Sequence, residues 1–457
     1  MIGEVVVDRK TVISKMSGMA RHAVSICFSI LKKAIYRLVF PVLMASYIVD
    51  CQIDLDEYME QFSWIVPFAM IILLLIVDRW HPALLLRRED NLIVFALLMG
   101  PLLALGTDWL ENGSEAQEFM DSMGQCGLFL FLALYLYYYH PEDFRISVRL
   151  MSLVIWISAL AGLWNYYDAG YLQSGVTTKR LIYPYGHAIP AAHAWIMGLW
   201  LPLTNHKVTD VILKCVYLPA IFLTMSRSSW IALGVTAALC LVQILKELKK
   251  LGVWKSLAIF AVLGALAAAA WQVLQSETVQ AILEYRLTGV TDTHAYVMRT
   301  THWPYIIQEF LKADPLQMLF GFGRGSITTL IAESGLEDGT WLIADNSYLS
   351  LMYEMGLVLI AALLLVMLKA GIRFLQAKSV NELMQGGILS LISGFIVILF
   401  YDVQTYPVTV LPMTVSAAII LADYRNKAYV KRALIKERRA AKHLSSVDEG
   451  GKEAAAG

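Results

Sequence analysis

The segment T-M-S-R-S-S-W (224–230) sets Arg227 at the start of a long apolar run. A guanidinium held at membrane depth is costly unless it meets an anion or a polar cavity, and phosphate oxygens accept its N–H groups in pairs. Snorkelling to headgroups is the plainer account of one such arginine. Other basic residues share this setting: Lys179 and Arg180 ahead of Y-G-H-A-I-P (185–190), Arg286, Arg299 in M-R-T-T-H-W-P (298–304), Lys312, and Arg324. Loop residues of either sign are common, so Lys179 and Arg180 alone decide little. Several such groups on one face point to a bound phosphate.

Two further segments carry chemistry. L-F-G-F-G-R-G-S (319–326) has glycines at 321, 323 and 325 around Arg324; glycines permit positive φ and let consecutive N–H groups converge on an anion. The same residues also suit a plain turn, and neither strand context nor spacing supports a nucleotide fingerprint. W-L-I-A-D-N-S-Y-L (341–349) then puts Asp345 and Asn346 at the start of an apolar helix. Asp345 has two readings there: a helix cap, or a general base whose pKa burial lifts toward neutrality, next to an approaching sugar hydroxyl. The string D-L-D-E (54–57) resembles a divalent-metal site, but a solvated acidic loop explains it, and neither a metal nor another cofactor is expected.

The elements that must position these groups are membrane helices. The chain has 457 residues, 58% hydrophobic and 16% charged, with a mean hydropathy of +0.58, which excludes a water-soluble domain. Lys+Arg and Asp+Glu both number 37, so no excess charge favours nucleic acid. Cys27, Cys51, Cys126, Cys215 and Cys240 lie far apart, without a disulfide framework or a zinc pattern. Measured against the roughly 20 apolar residues that a span needs, the chain yields about twelve candidates. They centre on 35–50, 62–77, 91–108, 123–139, 150–166, 187–204, 209–224, 229–245, 256–274, 347–368, 384–401 and 408–422. Residues 23–31 form a separate apolar run suited to the membrane surface.

Positive charges orient these spans. Arg79, Arg87 and Arg88, then Arg145 and Arg149, then Lys246, Lys249, Lys250 and Lys255, then Lys369, Arg373 and Lys378 all fall on one side, as does the basic tail. The opposite loops, 51–61 and 109–122, are acidic. The expected fold is therefore all-α and polytopic, with both ends inside and one large external loop between the ninth and tenth spans. Its divisions are an interfacial N-terminus (1–34), nine spans (35–274), the loop (275–345), three spans (346–423) and a basic cytoplasmic tail (424–457). No cleavable signal peptide and no internal repeat is visible. The loop is too aromatic to be disordered, and Tyr296 to Leu311 has helical apolar spacing interrupted by Pro304.

Taken together, these motifs resemble the bacterial O-antigen polymerase and O-antigen ligase superfamily. The likeness rests on T-M-S-R-S-S-W, Lys179-Arg180 before Y-G-H-A-I-P, M-R-T-T-H-W-P, G-F-G-R-G, and D-N-S-Y-L ahead of Glu354 and Gly356, and it covers about the last 290 residues. It implies a multi-pass enzyme of the bacterial cytoplasmic (inner) membrane, without metal or nucleotide sugar, which moves a glycan from a polyprenyl pyrophosphate to a hydroxyl on the external face. Its partners would be a lipid-linked oligosaccharide donor, a glycan acceptor, membrane lipid and a chain-length regulator, with no nucleic acid. Carried over by position, Arg180, Arg227 and Arg299 would hold the pyrophosphate and Asp345 would activate the acceptor, with Lys179, Arg286, His302, Arg324 and Asn346 also binding substrate. Ligases that use a lipid core typically have a His before the Asn. Asp345 in that slot points to polymerisation of repeat units, with ligation as the alternative. A transporter or flippase is the rival from another class, against which stand the lack of repeat symmetry and the gathering of the suspect charges on one face.

Overall fold

In a computed structural model, the described residues are 9–52, most of 69–76, 129–171, 179–248, 252–288, 294–323, 325–335, 343–376, 382–402 and 406–422. The acidic string 54–57, the expected span 91–108, most of 62–77, the start of 123–139, Arg324 and the tail lie outside them. Every regular element among the described residues is an α-helix.

Among the described helices, the first and third pack in parallel. α1 (Arg9–Asp50) runs unbroken from the apolar run 23–31 into the expected first span, with Pro41 inside it, so the two belong to one helix. α2 (Phe129–Tyr139) is almost wholly buried. α3 (Pro141–Asp168) begins with Pro at its first position and two acidic residues in its first turn, both favoured where backbone N–H groups lack helical partners. Arg37 Nε donates to Asp143 Oδ1 at 2.7 Å, Phe40 N to Ser147 Oγ at 3.2 Å, and Tyr36 stacks on His140 at 3.8 Å.

α4 (Ala188–Trp200) is followed by two short helices, α5 (Lys207–Lys214) and α6 (Tyr217–Leu223), where the sequence suggests one span at 209–224. Pro219 explains the break. It has no N–H for the carbonyl four residues earlier, and its ring crowds that carbonyl. Cys215 O accepts from Leu218 N instead, at 3.2 Å. α7 (Arg227–Leu248) and α8 (Val253–Leu274) follow as long apolar helices.

The expected loop is itself helical. α9 (Glu277–Leu287), α10 (His294–Phe310), α11 (Pro315–Phe320) and α12 (Ser326–Ser334) lie in it, and α10 continues through Pro304. Ile306 and Phe310 from α10 bury with Ile327 and Ile331 from α12 and with Tyr353 from the helix that follows the loop, a small core separate from that of the bundle. α13 (Ser347–Gln376), α14 (Glu382–Val397) and α15 (Pro407–Ala422) close the bundle. α14 crosses α4 closely: a Cβ at Gly386 would lie 2.4 Å from Trp200 O, and one at Gly394 would lie 3.3 Å from His193 Nε2. Small residues permit such contact between apolar helices.

By length and composition α3, α7 and α13 can each cross a membrane. One end of the bundle gathers the chain segments that matter for function: the end of α3 near Lys179, the starts of α4 and α7, and the junction of α13 with the end of α14, where Ser347 N donates to Ile398 O at 2.9 Å. The ends of α4 and α7 meet the start of α14 at the other end, through Trp200 and Gly386 and through Gln243 and Gln385.

Candidate active site

The T-M-S-R turn is rigid before α7 begins. Met225 takes φ 54°, Thr224 Oγ1 donates to Ile221 O at 2.7 Å and accepts from Ser226 N at 3.2 Å, and Ser226 Oγ pairs with Ser228 and Ser229. A second segment is clasped to this turn: Leu181 N donates to Leu223 O at 2.9 Å and Arg180 Nε to Thr224 O at 2.8 Å. Arg180 and Arg227, 47 residues apart in the numbering, are thereby brought to one place.

They line a cavity of about 1350 Å³ together with Arg286, Arg299 and Asp345. Apolar side chains of α7 and α10, among them Ile231, Trp303 and Ile307, form much of its wall. Arg299 is tethered: Nη2 donates to Asp345 Oδ2 at 3.0 Å and to Phe400 O at 2.8 Å. Among the described residues, Arg180, Arg227 and Arg286 have no carboxylate partner within ion-pair distance. Burial first, and then Arg286, push the Arg180 pKa down to about 10, and burial and then Arg227 lower that of Arg286. Arg180 stays protonated at neutral pH all the same. Three uncompensated guanidinium groups around one partly apolar cavity repel one another, and an anion placed among them relieves that repulsion.

Asp345 is not the helix cap. Asn346 Oδ1 accepts from Tyr348 N at 3.0 Å and Leu349 N at 3.3 Å, which is the capping arrangement. Asp345 itself sits at φ 55°, a region that Asp tolerates better than most residues. A buried neighbour holds it there: Asp402 Oδ2 accepts from Asp345 N at 3.0 Å, while its Oδ1 accepts from Ser350 Oγ at 2.7 Å. Burial raises the Asp345 pKa, and Arg299 partly opposes the rise.

The remaining expected site residues have other positions. His302 is wholly buried, its Nδ1 3.1 Å from Ile343 O; with Trp303 Nε1, which donates to Ala344 O at 2.8 Å, it fixes the backbone leading to Asp345. Lys179 is exposed and off the cavity lining, with its carbonyl accepting from Tyr166 OH at 2.9 Å. The glycine turn is not an open anion cradle. Phe322 N and Gly323 N donate to Tyr353 O and Glu354 O at 2.9 and 3.0 Å, and Gly325 N donates to the buried Glu354 carboxylate at 3.0 Å. The turn therefore docks the loop helices onto α13, at the kink where Gly356 takes φ 76°.

Sequence reasoning passed over Tyr401 and Asp402, and gave His187 and Glu354 no role in the site. Asp402 ends an apolar run just as Asp345 begins one, and Glu354 lies inside an apolar run, so an ionisable residue at or within a span was the available signal. His187 and Tyr401 line the cavity, but nothing in local spacing brings them together.

Long apolar helices and a cationic cavity at one end of their bundle define a membrane protein with a buried, arginine-lined site. Residues 215–364 match the family model for O-antigen ligase (Wzy_C), consistent with the O-antigen polymerase and ligase superfamily that the motifs resemble. The matched segment contains Arg227, Arg286, Arg299 and Asp345, whereas Arg180 lies before it. No curated protein matches the chain. The family match supports a membrane glycan-processing enzyme of the glycosyltransferase kind, in polysaccharide biosynthesis.

Proposed function

We propose that the protein polymerises oligosaccharide repeat units carried on polyprenyl pyrophosphate, working on the external face of the bacterial cytoplasmic membrane. The observation that carries this reading is the gathering of Arg180, Arg227 and Arg286, without carboxylate partners among the described residues, around one cavity with Asp345 on its wall. The family match adds lipid-linked glycans as the substrate class.

In the proposed reaction, the acceptor hydroxyl oxygen bonds to the anomeric carbon of the donor sugar as the bond from that carbon to the pyrophosphate oxygen breaks. The hydroxyl proton passes to Asp345, and the electron pair of the broken bond leaves with the pyrophosphate. Fixed guanidinium groups in a poorly hydrated site stabilise the charge that develops there without having to reorganise. Arg299, tethered to Asp345 and to Phe400 O, links the base to the leaving-group side.

Ligation to a lipid core is a second reading, raised by the description of the matched family, which does not separate the two; Asp345 in place of a His favours polymerisation. Purified protein supplied with lipid-linked repeat units separates them. A ladder of lengthening chains is expected, with activity surviving chelation of divalent ions. Transfer only to a lipid-core acceptor would establish ligation instead. Alanine at Arg180, Arg227 or Arg299 should abolish most transfer, with poor rescue by Lys, since an ammonium cannot make the paired contact. Near-normal product from all three alanine variants would remove the donor site.

A further inference from the structure

His187 lines the same cavity as Arg180, at the start of α4. Its ring is fixed from one side. Nδ1 accepts from Ile189 N at 3.3 Å and lies 3.3 Å from the Tyr401 hydroxyl, which is itself 3.1 Å from the Tyr406 hydroxyl. The His187 and Tyr401 rings stack at 5.2 Å and 13°. An imidazole that accepts at Nδ1 carries its proton on Nε2 when neutral. A further positive charge would add to the repulsion among Arg180, Arg286 and Arg227, so this setting favours the neutral ring with a directed Nε2–H.

We propose that His187 is a substrate-contact residue of this cavity, an uncharged donor that gives its Nε2–H to a pyrophosphate oxygen of the lipid-linked donor beside Arg180. The inference rests on the donor reading above and deepens it. A neutral N–H adds a charge-assisted hydrogen bond to the anion without adding repulsion to the free site. It also has a fixed direction, set by the contacts at Nδ1, whereas a flexible cation is held less narrowly.

Two substitutions divide the ring's functions. His187→Asn keeps an acceptor near the Nδ1 position, and Asn caps helices well, but it has no donor at the Nε2 position. His187→Gln keeps an amide N–H near Nε2 and gives up the local cap. Binding of a sugar-free polyprenyl pyrophosphate to the full-length protein in nanodiscs should be titrated for wild type, both variants and Arg227→Ala, with a melting midpoint for each. The Asn variant is expected to bind roughly ten- to a hundredfold more weakly, the range for a hydrogen bond to a charged group, with an unchanged midpoint. The Gln variant should bind nearly as wild type. Wild-type binding by the Asn variant, with Arg227→Ala impaired, would overturn the His187 role while leaving the donor site standing. A wild type that does not bind the probe, or Arg227→Ala that binds it normally, would overturn the donor site and this inference with it. If the Asn variant melts early, Tyr401→Phe decides: it keeps the stacked ring and removes the hydroxyl, so weaker binding supports the proposal and unchanged binding overturns it.

Discussion

Asp345 combines three conditions that seldom meet in a carboxylate: a left-handed backbone, burial, and an arginine at 3.0 Å. The left-handed conformation costs about 1–2 kcal/mol for a residue with a Cβ, and the bond from its N–H to Asp402 offsets part of that. The sequence shows that a carboxylate stands at the head of an apolar helix, because a charge at such a boundary is costly enough to notice. It does not show which of two adjacent residues caps. Asp and Asn cap about equally well, and the choice is made by Asp402, 57 positions away. A pH prediction follows from the balance of burial against Arg299. A general base works only when ionised, and its raised pKa moves the loss of the ionised form to higher pH. The acid limb of kcat/KM should therefore lie above the ordinary carboxylate value of about 4. A rate that stays flat on acidification down to about that value would mean that Asp345 is not the base.

The turn after α11 packs on α13 through two glycines. A Cβ at Gly321 would lie 2.2 Å from Glu354 O, and one at Gly356 would lie 2.2 Å from Leu319 O; both glycines have positive φ. Alanine at either position must separate the turn from α13. A loss of about 1–3 kcal/mol is expected for each, as for other overpacked sites, and the pair should lose less than the sum because both break one contact. Melting midpoints and transfer rates of the two single variants and the pair check this. Wild-type values throughout would show that close packing of this turn on α13 is not needed. The helical period of 296–311 is legible because one face of α10 is apolar, but the docking of the glycine turn is not, since its partner lies on α13, some thirty residues onward. The break between α5 and α6 is an intermediate case: Pro219 is visible in the sequence, yet the apolar run across it reads as one span.

At the scale of the molecule, chain direction agrees with the charge pattern that the sequence displays. The starts of α4, α7 and α13 gather at the cavity end, while Lys207 at the head of α5 meets Glu382 at the head of α14 at 3.4 Å toward the other. The proposed orientation puts the cavity end outside. With the native cysteines replaced, a cysteine at Ala332, exposed on α12, should react with a membrane-impermeant thiol reagent in intact cells. Reaction only after the membrane is broken would reverse the orientation and remove the external chemistry. Composition and loop charge predict about twelve spans and their sidedness, and among the described residues three helices are long and apolar enough to cross a membrane. The cavity is not legible in the sequence, because it forms where segments from 180, 227, 286, 299, 345 and 401 converge.

The central claim is that one cavity both holds the pyrophosphate donor and deprotonates the acceptor at Asp345. Asp345→Asn tests it most directly, because Asn346 keeps the helix cap, an amide oxygen can still accept from Arg299, and the ionisable group is removed. Wild type and variant, reconstituted with lipid-linked repeat units, should be compared for donor binding and for release of polyprenyl pyrophosphate. The account predicts comparable donor binding and a release rate lower by about 10²- to 10⁴-fold, the range for a general base, with single repeat units left unjoined. Wild-type release and long polymer from Asp345→Asn would contradict it.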